Sequence, residues 1–260
     1  MTGPSYHCKP RHVARLSVNV NKIATLRNAR GGNTPDMLDA LRVVLEAGAT
    51  GVTIHPREDQ RHITAHDIET IAAFLAPHRD AVEFNIEGDP RPELMDTVLR
   101  LRPHQCTLVP VKPGEVTSQA GWPPQTPISK MRGLVDDLKG RGIRVSVFVD
   151  PERAAIDWAA ELGADRIELY TEPYARAFAA GPESRDRSYA VYAACAAHAA
   201  GRGLGVNAGH DLDLSNLPLF SGIKELDEVS IGHALVSRAV FFGLKQVVRE
   251  YLDVLTTPAT

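Results

Sequence analysis

Four side chains that can move protons near neutral pH stand within or at the end of short apolar runs of this sequence. His55 follows VTI, Glu87 closes AVEFNIE and His210 closes LGVNAGH, while Glu168 lies within RIELYT. Burial raises the pKa of a carboxyl group towards neutrality, and histidine already titrates there. We therefore expect His55, Glu87 and His210 to act as general acids or bases in an enzyme.

The carboxylates Glu168 and Glu83 are expected to have roles that differ from that of Glu87. Glu168 is expected either to support a positive charge that develops during the reaction or to anchor a cation such as Lys22 or Arg57. A carboxylate within a buried run is costly unless it is paired. Glu83, which precedes Glu87 in the same run, is therefore expected to face outward or to form a structural pair.

Cationic and amide side chains are concentrated after the first two apolar runs. They are Asn19, Asn21 and Lys22 at the end of the first run with Arg27 and Arg30 in a following loop, and Arg57, Arg61 and His62 after the second run. The rigid guanidinium fork of arginine matches the oxygens of a phosphate group, so an anion site with Lys22, Arg57 and His62 as its cations is predicted. The alternative is an exposed, solvated loop in which Asp59 and Arg61 form only a surface pair.

Two late segments, VNAGHDL and SIGHALVSRAV, share one arrangement: a strand, a glycine, a histidine and then a polar loop or a helix. Glycine lets a backbone amide approach an oxyanion closely, and the helix expected to begin near Ala234 offers unpaired N–H groups. We predict that Gly232 and His233 bind phosphate while His210 carries protons. Alternatively, both histidines are strand-end residues that form hydrogen bonds to the backbone.

A metal ion bound by these histidines is a further alternative, but the sequence argues against it. His55, Glu87, His210 and His233 form no tight ligand motif, and their cationic neighbours would oppose a divalent ion. We therefore expect neither a metal nor another cofactor.

Eight short apolar runs must position these side chains. They are RLSVNV, GVTIH, AVEFNIE, QCTLVPV, RVSVFVD, RIELYT, LGVNAGH and EVSIGH, each followed by a segment long enough for a helix. Runs that are rich in β-branched residues and nearly continuous in apolarity are typical of parallel strands buried on both faces. Eight strand–helix units in 260 residues predict an α/β fold, a single-domain (β/α)8 TIM barrel with its catalytic groups at the carboxyl ends of the strands.

The alternative fold is a doubly wound open sheet that binds a dinucleotide. Such a sheet carries a glycine fingerprint directly after its first strand, whereas the segment from Asn19 to Asn28 contains no glycine. The GRGLG segment that begins at Gly201 precedes a strand instead. The barrel is therefore the favoured fold.

Length and charge agree with one domain that binds small molecules. Residues 1–14 are expected to form a flexible tail and residues 15–260 the barrel. A net charge of −3 with mixed signs argues against a dedicated nucleic-acid or membrane surface, and neither a secretory signal nor a membrane span is recognisable. Cys8, Cys106 and Cys195 share no disulfide or ligand spacing, so we expect free thiols in the reducing cytoplasm.

Two stretches interrupt the alternation of strands and helices. Residues 118–129, SQAGWPPQTPIS, are too rich in proline for a helix. Residues 172–187, EPYARAFAAGPESRDR, predict either a long loop or a short extra helix that ends near Gly181. Both stretches follow strands on the expected catalytic side, where lids are commonly found.

Seven of these motifs, in order along nearly the whole chain, resemble those of the pyridoxine 5′-phosphate synthase family. They are VNVNKIATLRNARGG, HPREDQRHIT, EFNIEG, LVPVKPGEVTSQAGW, IELYTEPYA, VNAGH and IGHALVSRAV. The resemblance implies a (β/α)8 barrel with extra helices, assembled into a homo-octamer. It also implies an enzyme of vitamin B6 biosynthesis that needs no cofactor. This enzyme condenses 3-amino-2-oxopropyl phosphate with 1-deoxy-D-xylulose 5-phosphate and yields pyridoxine 5′-phosphate, phosphate and water.

The resemblance also implies a role for individual residues. His55 and Glu87 would accept protons, His210 would donate one, and Glu168 would stabilise the transition state. The remaining implied contacts are Asn19, Arg30, Gly232 and His233 to the aminoketone phosphate, and Arg57, His62 and Thr117 to the pentulose phosphate.

The chain departs from the family pattern at two places. Many members have Asp-His where this chain has Asn21-Lys22, and a glycine where it has Asp211. Lys22 is still expected to bind a phosphate or hydroxyl group, and Asp211 to offer its backbone amide. The pocket is therefore expected to persist with a different local geometry.

Two other functions remain open at this point. A phosphosugar aldolase or isomerase on the same barrel would need a Schiff-base lysine, for which Lys22 and Lys112 are the candidates. A non-catalytic regulator that binds phosphorylated metabolites would use the same pocket. Such a regulator would have no need of three proton-transfer side chains.

Overall fold

The computed structural model describes residues 13–110 and 118–257, and the described residues form a closed barrel of eight parallel strands in chain order. The strands are β1 (Arg15–Asn19), β2 (Gly51–Ile54), β3 (Glu83–Gly88), β4 (Gln105–Leu108), β5 (Arg144–Val149), β6 (Arg166–Tyr170), β7 (Gly205–Gly209) and β8 (Leu226–Ile231). The barrel closes where β8 pairs with β1, with Val229 beside Leu16. The predicted (β/α)8 barrel is confirmed, and the open sheet is excluded.

Helices cover the outside of the barrel, with extra helices after the first, sixth and eighth strands. Within the described part of the chain they are α1 (Asn21–Asn28), α2 (Met37–Ala47), α3 (Ala65–Leu75), α4 (Pro92–Leu101), α5 (Arg132–Gly140), α6 (Arg153–Leu162), α7 (Glu172–Ala179), α8 (Pro182–Gly201), α9 (Leu217–Phe220), α10 (His233–Phe242) and α11 (Leu244–Thr256). Short 3-10 helices span Ala76–His78 and Ile128–Lys130. No helix in these ranges is both long enough and apolar enough to span a bilayer.

Alternation along each strand divides apolar from polar side chains. Residues such as Leu16, Val52 and Ile86 belong to the buried apolar core that the helices share. The residues between them are buried but polar: Ser17, Thr53, Asn85, Glu87, Gln105, Thr107, Ser146, Glu168, Asn207, Glu228 and Ser230. Side chains point alternately to the two faces of a strand, so these polar side chains fill the barrel interior.

Hydrogen bonds cross this polar interior, although the buried hydroxyl of Ser146 has no partner among the described residues. The Nδ2 of Asn207 in β7 lies 3.5 Å from Oε1 of Gln105 in β4, and the hydroxyl of Ser230 in β8 lies 3.5 Å from Oε1 of Glu87 in β3. Strands that are not neighbours can meet in this way only through the interior. Branched apolar side chains fill most barrels of this class, so the polar filling distinguishes this one.

An ion-pair network lies at the amino-terminal end of the barrel. Glu83 forms ion pairs with Arg15, at 2.7 Å, and with Arg144. Glu228 lies 3.6 Å from Arg15 and is 1% exposed. The structural pair predicted for Glu83 is confirmed, and this end of the barrel is a scaffold because it lies opposite the functional ends of the strands.

The two stretches that break the alternation have different structures. Described residues 118–127 form no helix, and Trp122 anchors them by donating its Nε1–H to the carbonyl of Leu108 at 2.9 Å. In the second stretch the extra-helix alternative is correct: α7 ends at Ala179. The charged residues that follow Gly181 begin the long helix α8 rather than a loop. Of the predicted tail, residues 1–12 lie outside the described residues.

Candidate active site

A cavity of about 560 Å³ opens at the carboxyl ends of the strands. The residues predicted from the sequence that line it are Asn19, Asn21, Lys22, His55, Arg57, His62, Glu87, Glu168, His210, Asp211, Gly232 and His233. Arg30 is exposed just beyond the end of α1 and does not line the cavity. Thr117 and Lys112 lie outside the described residues.

His55 and Glu87 form the centre of the cavity. The Nδ1 of His55 lies 3.6 Å from Oε2 of Glu87, and both side chains are buried. Burial, together with the charge of Arg57, lowers the pKa of His55 well below its usual value. His55 is therefore a neutral imidazole at neutral pH.

The Nε2 atom of His55 is the nitrogen left for a substrate. It is buried, and no described group lies within hydrogen-bond distance of it. A buried polar atom without a partner is rare in proteins and calls for a bound molecule or a functional role. The backbone at His55 is held by Asn21, whose side-chain oxygen accepts a hydrogen bond from the His55 amide at 3.0 Å.

Glu87 has an environment that keeps its carboxyl protonated. Burial raises its pKa to about 8, and the charge of Glu228 acts in the same direction. The hydroxyl of Ser230 and the positive charge of Arg57 oppose this rise. Asn85 donates to Oε1 of Glu87 at 3.3 Å. A carboxyl group with a pKa near the working pH can both accept and return a proton.

Glu168 is the second carboxyl group of the cavity. Burial raises its pKa well above the usual value, and the charges of Glu87 and Glu228 add to the rise. Neither Lys22 nor Arg57 is among the groups that shift the pKa of Glu168, so the described residues give no support to the cation-anchor alternative. The carboxyl fits closely against β7, because a Cβ atom at Gly209 would lie 2.5 Å from its Oε1.

His210 follows β7 at the rim of the cavity. Its ring meets the edge of the Tyr170 ring at a centroid distance of 5.1 Å, and its Nδ1 lies 2.9 Å from Oδ2 of Asp211. Both His210 and Asp211 have positive φ angles, 89° and 60°. The hydroxyl of Thr171 holds this turn by donating to the carbonyl of Gly209 at 2.7 Å.

The cationic side of the cavity combines α1 with the loop after β2. Lys22 lies at the exposed rim, and the buried Arg57 donates to the hydroxyl of Ser118 at 3.4 Å. The inclusion of His62 among the cations was wrong: burial, Arg57 and Lys22 lower its pKa to about 4. Its Nδ1 accepts the amide hydrogen of Ile63 at 2.9 Å, so Nε2 carries the proton and can donate to an anion as a neutral group.

The loop predicted around Arg27 is instead the helix α1. Arg27 is not available for an anion, because both of its terminal nitrogens bind the carboxylate of Asp67, the NH2 nitrogen at 2.8 Å from Oδ2. Asp67 also closes the amino terminus of α3, where its side chain accepts from the Thr64 amide at 2.8 Å. Arg27 therefore fastens α1 to α3.

A third part of the site is the amino terminus of α10. The helix begins at His233, one residue earlier than predicted, and no described side chain caps its first N–H groups. Unpaired N–H groups at a helix start favour a phosphate group. Gly232 allows β1 to approach, because a Cβ atom there would lie 3.0 Å from both the Cβ and the carbonyl oxygen of Asn19.

Sequence reasoning missed several residues that line or support the cavity. Ser230, Ser118, Val109 and Phe148 line it, and Tyr170 packs against Phe148 at 5.5 Å between ring centroids. Strand alternation could have identified Ser230, because it lies two residues before Gly232 on the inward face of β8. Ser118 carried no such signal, since it lies in a loop.

The cavity can therefore hold anions and move protons in one enclosed space. Donors to anions come from α10 and from the loop after β2, and the groups that exchange protons come from β2, β3, β6 and β7. In the described residues no cluster of metal-ligand side chains is found.

The sequence matches one known protein family and several named relatives over nearly its whole length. The profile of the family described as "Pyridoxal phosphate biosynthesis protein PdxJ" matches residues 16–257. A pyridoxine 5′-phosphate synthase of Phocaeicola vulgatus is 48% identical over 94% of this chain and 99% of its own length. Those of Porphyromonas gingivalis and Leptospira biflexa are 48% and 44% identical, each over 94% of this chain and 99% and 98% of their own lengths.

Solved structures with a similar fold are more distant in sequence. A thiamine phosphate pyrophosphorylase of Pyrococcus furiosus superposes with a TM-score of 0.61 at 14% identity, over 95% of this chain and 98% of its own. A phosphoribosyl anthranilate isomerase of Thermotoga maritima gives a TM-score of 0.58 at 14% identity, over 92% of this chain and 98% of its own. At such identities the likeness concerns the barrel fold alone.

Proposed function

The chain belongs to the PdxJ family of vitamin B6 biosynthesis, and from this premise we propose that it is a pyridoxine 5′-phosphate synthase. It condenses 3-amino-2-oxopropyl phosphate with 1-deoxy-D-xylulose 5-phosphate, and releases pyridoxine 5′-phosphate, inorganic phosphate and water. The observation that carries this proposal is the convergence of His55, Glu87, Glu168 and His210 on one cavity that also holds donors for anions.

The chemistry of the condensation explains the need for several proton-transfer groups. The amine and a ketone form an imine with loss of water, a phosphate leaves, and an enamine closes the ring before the final dehydration. Every step moves protons. Neutral His55 accepts a proton from the substrate at Nε2. Glu87, which lies beside Nδ1 of the same ring, takes up or returns the proton of that nitrogen. His210 at the opposite rim supplies the proton that a leaving oxygen requires.

Glu168 acts on charge rather than as a proton shuttle in this proposal. Its raised pKa means that the carboxyl group ionises only when a positive charge develops next to it. An imine nitrogen that gains a proton is such a charge. The stabilisation of Glu168 is therefore strongest at the transition state, which is where it raises kcat.

The phosphate groups of the two substrates bind at two different parts of the cavity, one at the amino terminus of α10 and the other at the loop after β2. The aminoketone phosphate binds the amino terminus of α10 at Gly232 and His233, with Asn19 beside it. The pentulose phosphate binds Arg57, His62 and Lys22, and Thr117 is proposed to join this set. When both substrates are bound in fixed positions, much of the entropy that a bimolecular reaction must lose has already been lost on binding. The barrier of the chemical step is lower for that reason.

Arg30 and Asn21 lie differently with respect to the cavity: Arg30 is outside it and Asn21 lines it. Arg30 is proposed as a contact to the aminoketone phosphate. Because Arg30 is exposed outside the cavity, a movement of α1 or a neighbouring chain must bring its side chain to the substrate. Asn21 lines the cavity and holds the amide of His55, so it positions the proton acceptor as well as the pentulose. We also propose a homo-octamer in the cytoplasm, with phosphorylated small molecules as its partners and no nucleic acid or membrane.

The alternative of a Schiff-base aldolase finds little support. Lys22 is the sole lysine among the described residues that line the cavity, and it is exposed at the rim. A nucleophilic lysine needs burial or a cationic neighbour that releases its proton. Borohydride trapping in the presence of either substrate tests this point directly, and we expect no covalent adduct.

A turnover assay with both substrates tests the proposed function. The full-length chain is expected to release phosphate and form a pyridoxine product, and to do neither when either substrate is left out. His210→Asn keeps the size of the side chain but cannot carry a proton, and turnover should fall by about 100-fold or more. A folded parent chain that forms no product from the two substrates would overturn the proposal.

A further inference from the structure

We propose that Asp211 is a positioning residue for His210: its carboxylate accepts the Nδ1–H of the ring and thereby directs Nε2 towards the reacting atoms. The contact is direct, with Oδ2 of Asp211 2.9 Å from Nδ1 of His210. The inference rests on the proposed function, because it supplies a partner for the group that donates a proton there. It also extends the role expected from the sequence, which was limited to the backbone amide of Asp211.

The backbone is shaped for this contact. His210 and Asp211 have φ angles of 89° and 60°, which place two successive side chains other than glycine in the left-handed region. Such a conformation is unfavourable and persists only where the surroundings fix it, although aspartate tolerates it better than most residues. It allows the carboxylate of one residue to turn back onto the ring of the residue before it.

Contacts on both sides hold this turn. The hydroxyl of Thr171 donates to the carbonyls of Gly209 and His210, at 2.7 Å and 2.5 Å. The side-chain amide of Asn216 donates to the carbonyl of Asp211 at 3.0 Å. The backbone that carries the ring and the carboxylate is therefore held on both sides, which limits the positions that the carboxylate can take relative to the ring.

Electrostatics and access agree with this role. The hydrogen bond to His210 lowers the pKa of Asp211, and the nearby His233 acts in the same direction, so the carboxylate is ionised at neutral pH. The other titratable groups that face the pair are His55 and Tyr170. An anionic partner at Nδ1 fixes the ring tautomer and stabilises the imidazolium form, as in other histidine–carboxylate pairs. The Asp211 side chain is 41% exposed, so small solutes can reach it.

Two substitutions separate the charge from the shape. Asp211→Gly fits the left-handed backbone and removes the carboxylate, and Asp211→Asn keeps the shape and removes the charge. We expect kcat to fall by roughly 10-fold in both variants, with KM for each substrate nearly unchanged, because the partner is only half-buried. Asp213→Asn is the matched control, since an asparagine oxygen can still accept the amides of Ser215 and Asn216 that Asp213 binds, at 2.8 Å and 3.0 Å.

Chemical rescue is the decisive measurement. Formate should enter the space left in Asp211→Gly and restore kcat with saturation, whereas it should not rescue Asp211→Asn, in which the space is filled, or His210→Asn, which lacks the ring. A purely structural role of Asp211 predicts no rescue. Parental kcat in Asp211→Gly, or a lower kcat that formate does not restore, would overturn the inference while leaving the proposed function intact.

A second readout needs no turnover and separates the two proposals. Diethyl pyrocarbonate modifies a histidine at a nitrogen that carries a free lone pair, and peptide mass spectrometry measures the rate at His210 in the substrate-free protein. We expect this rate to change in Asp211→Gly and to return to the parental value with formate. An unchanged rate would overturn the contact, and a changed rate in a chain that fails the turnover assay would refute the proposed reaction alone.

Discussion

At the scale of single residues, the cavity keeps its two central groups uncharged. His55 has a pKa well below its usual value because it is buried and lies near the positive charge of Arg57, whereas burial raises the pKa of Glu87 to about 8. A proton moved from the neutral carboxyl to the neutral imidazole would create a buried ion pair, which is costly, so both groups stay neutral until a substrate gives or takes a proton. A substrate that gains or loses a proton therefore finds a base, His55, and an acid, Glu87, side by side in the cavity.

Glu87→Gln tests this protonation state through catalysis. The ionised fraction of Glu87 grows as the pH rises towards about 8, so kcat of the parent should increase between about pH 6 and pH 8. The variant should lose turnover by about 100-fold while the dissociation constants of both substrates change little, and its residual rate should lack this dependence. A large rise in dissociation constant with kcat preserved would contradict the assignment of Glu87 as a proton-transfer group.

The same substitution has a consequence for stability. The folded chain retains the proton of Glu87 up to about pH 8, whereas the unfolded chain releases it near its usual pKa of 4.5. This contribution to the free energy of unfolding is present below about pH 4.5 and is lost as the pH rises through about 8. Glu87→Gln should therefore gain stability relative to the parent over this range, by about 2 to 4 kcal/mol at its upper end. Denaturant unfolding at several pH values measures it, and a constant difference would refute the raised pKa.

Lys22→Met tests the cationic side of the cavity. Lys22 is exposed at the rim, and its charge helps to lower the pKa of His62, so the two side chains lie close together. Loss of the ammonium group should weaken 1-deoxy-D-xylulose 5-phosphate by about 10-fold at low salt and less at moderate salt, and should leave the aminoketone nearly unaffected. Separate calorimetric titrations measure both affinities, with Lys130→Met as a control on an exposed lysine outside the cavity. Equal weakening of both ligands would show that Lys22 is not a contact of the pentulose side.

At the scale of secondary-structure elements, two glycines bring strands and helices into position. Gly209 leaves room for the carboxyl of Glu168, and Gly232 lets the start of α10 approach the end of β1 at Asn19. Neither position has a positive φ angle, so the need for glycine is one of space and not of backbone conformation. Because glycine has no side chain, β7 can lie close to Glu168 of β6, and the start of α10 can lie close to Asn19 of β1.

Gly232→Ala tests this close approach. The added methyl group would lie 3.0 Å from the Cβ and carbonyl oxygen of Asn19, so β1 or α10 must shift by a few tenths of an ångström. We expect KM for the aminoketone phosphate to rise by about 10-fold, with a smaller change in kcat, because the shift moves the N–H groups of α10 that receive the phosphate. Gly133→Ala, a helical position with nothing within 4 Å of the added methyl group, should leave both constants unchanged. Unaltered KM in Gly232→Ala would exclude α10 as the phosphate site.

At the scale of the whole molecule, one apolar surface has no cover within the described residues of the chain. Val240 and Phe241, at the end of α10, are 71% and 81% exposed. Leu26 is 56% exposed on α1, which packs beside α10. Large apolar side chains grouped in this way are typical of a subunit interface. They support the proposed oligomer, and they lie on the two helices that also carry Lys22 and the proposed phosphate site.

Phe241→Glu tests the oligomer. A charge at the centre of a subunit contact should lower the mass measured by light scattering to that of a smaller assembly, while the circular dichroism spectrum stays that of the parent. Ser129→Glu places the same charge on an exposed polar residue and should leave the mass unchanged. An unchanged mass in Phe241→Glu would show that this surface lies outside the subunit contacts.

The sequence by itself determined the barrel and the choice of most residues around the cavity. Alternating apolar runs identified the strands, and the carboxyl ends of parallel strands meet on one side of a barrel, so His55, Glu87 and His210 could be grouped without coordinates. The resemblance between the motifs and a known family gave their implied roles. Both inferences depend on local patterns that a chain displays directly.

Only the tertiary structure decided the charge states and the partners. Arg27 is neutralised by Asp67, and Glu228 raises the pKa of Glu87, although both partners are remote in the sequence. His62 became a neutral donor because its burial and its cationic neighbours arise only when the loop after β2 packs against α1. A pKa depends on desolvation and on charges close in space, and a turn such as that at His210 depends on contacts from other elements. Neither can be read from residue order.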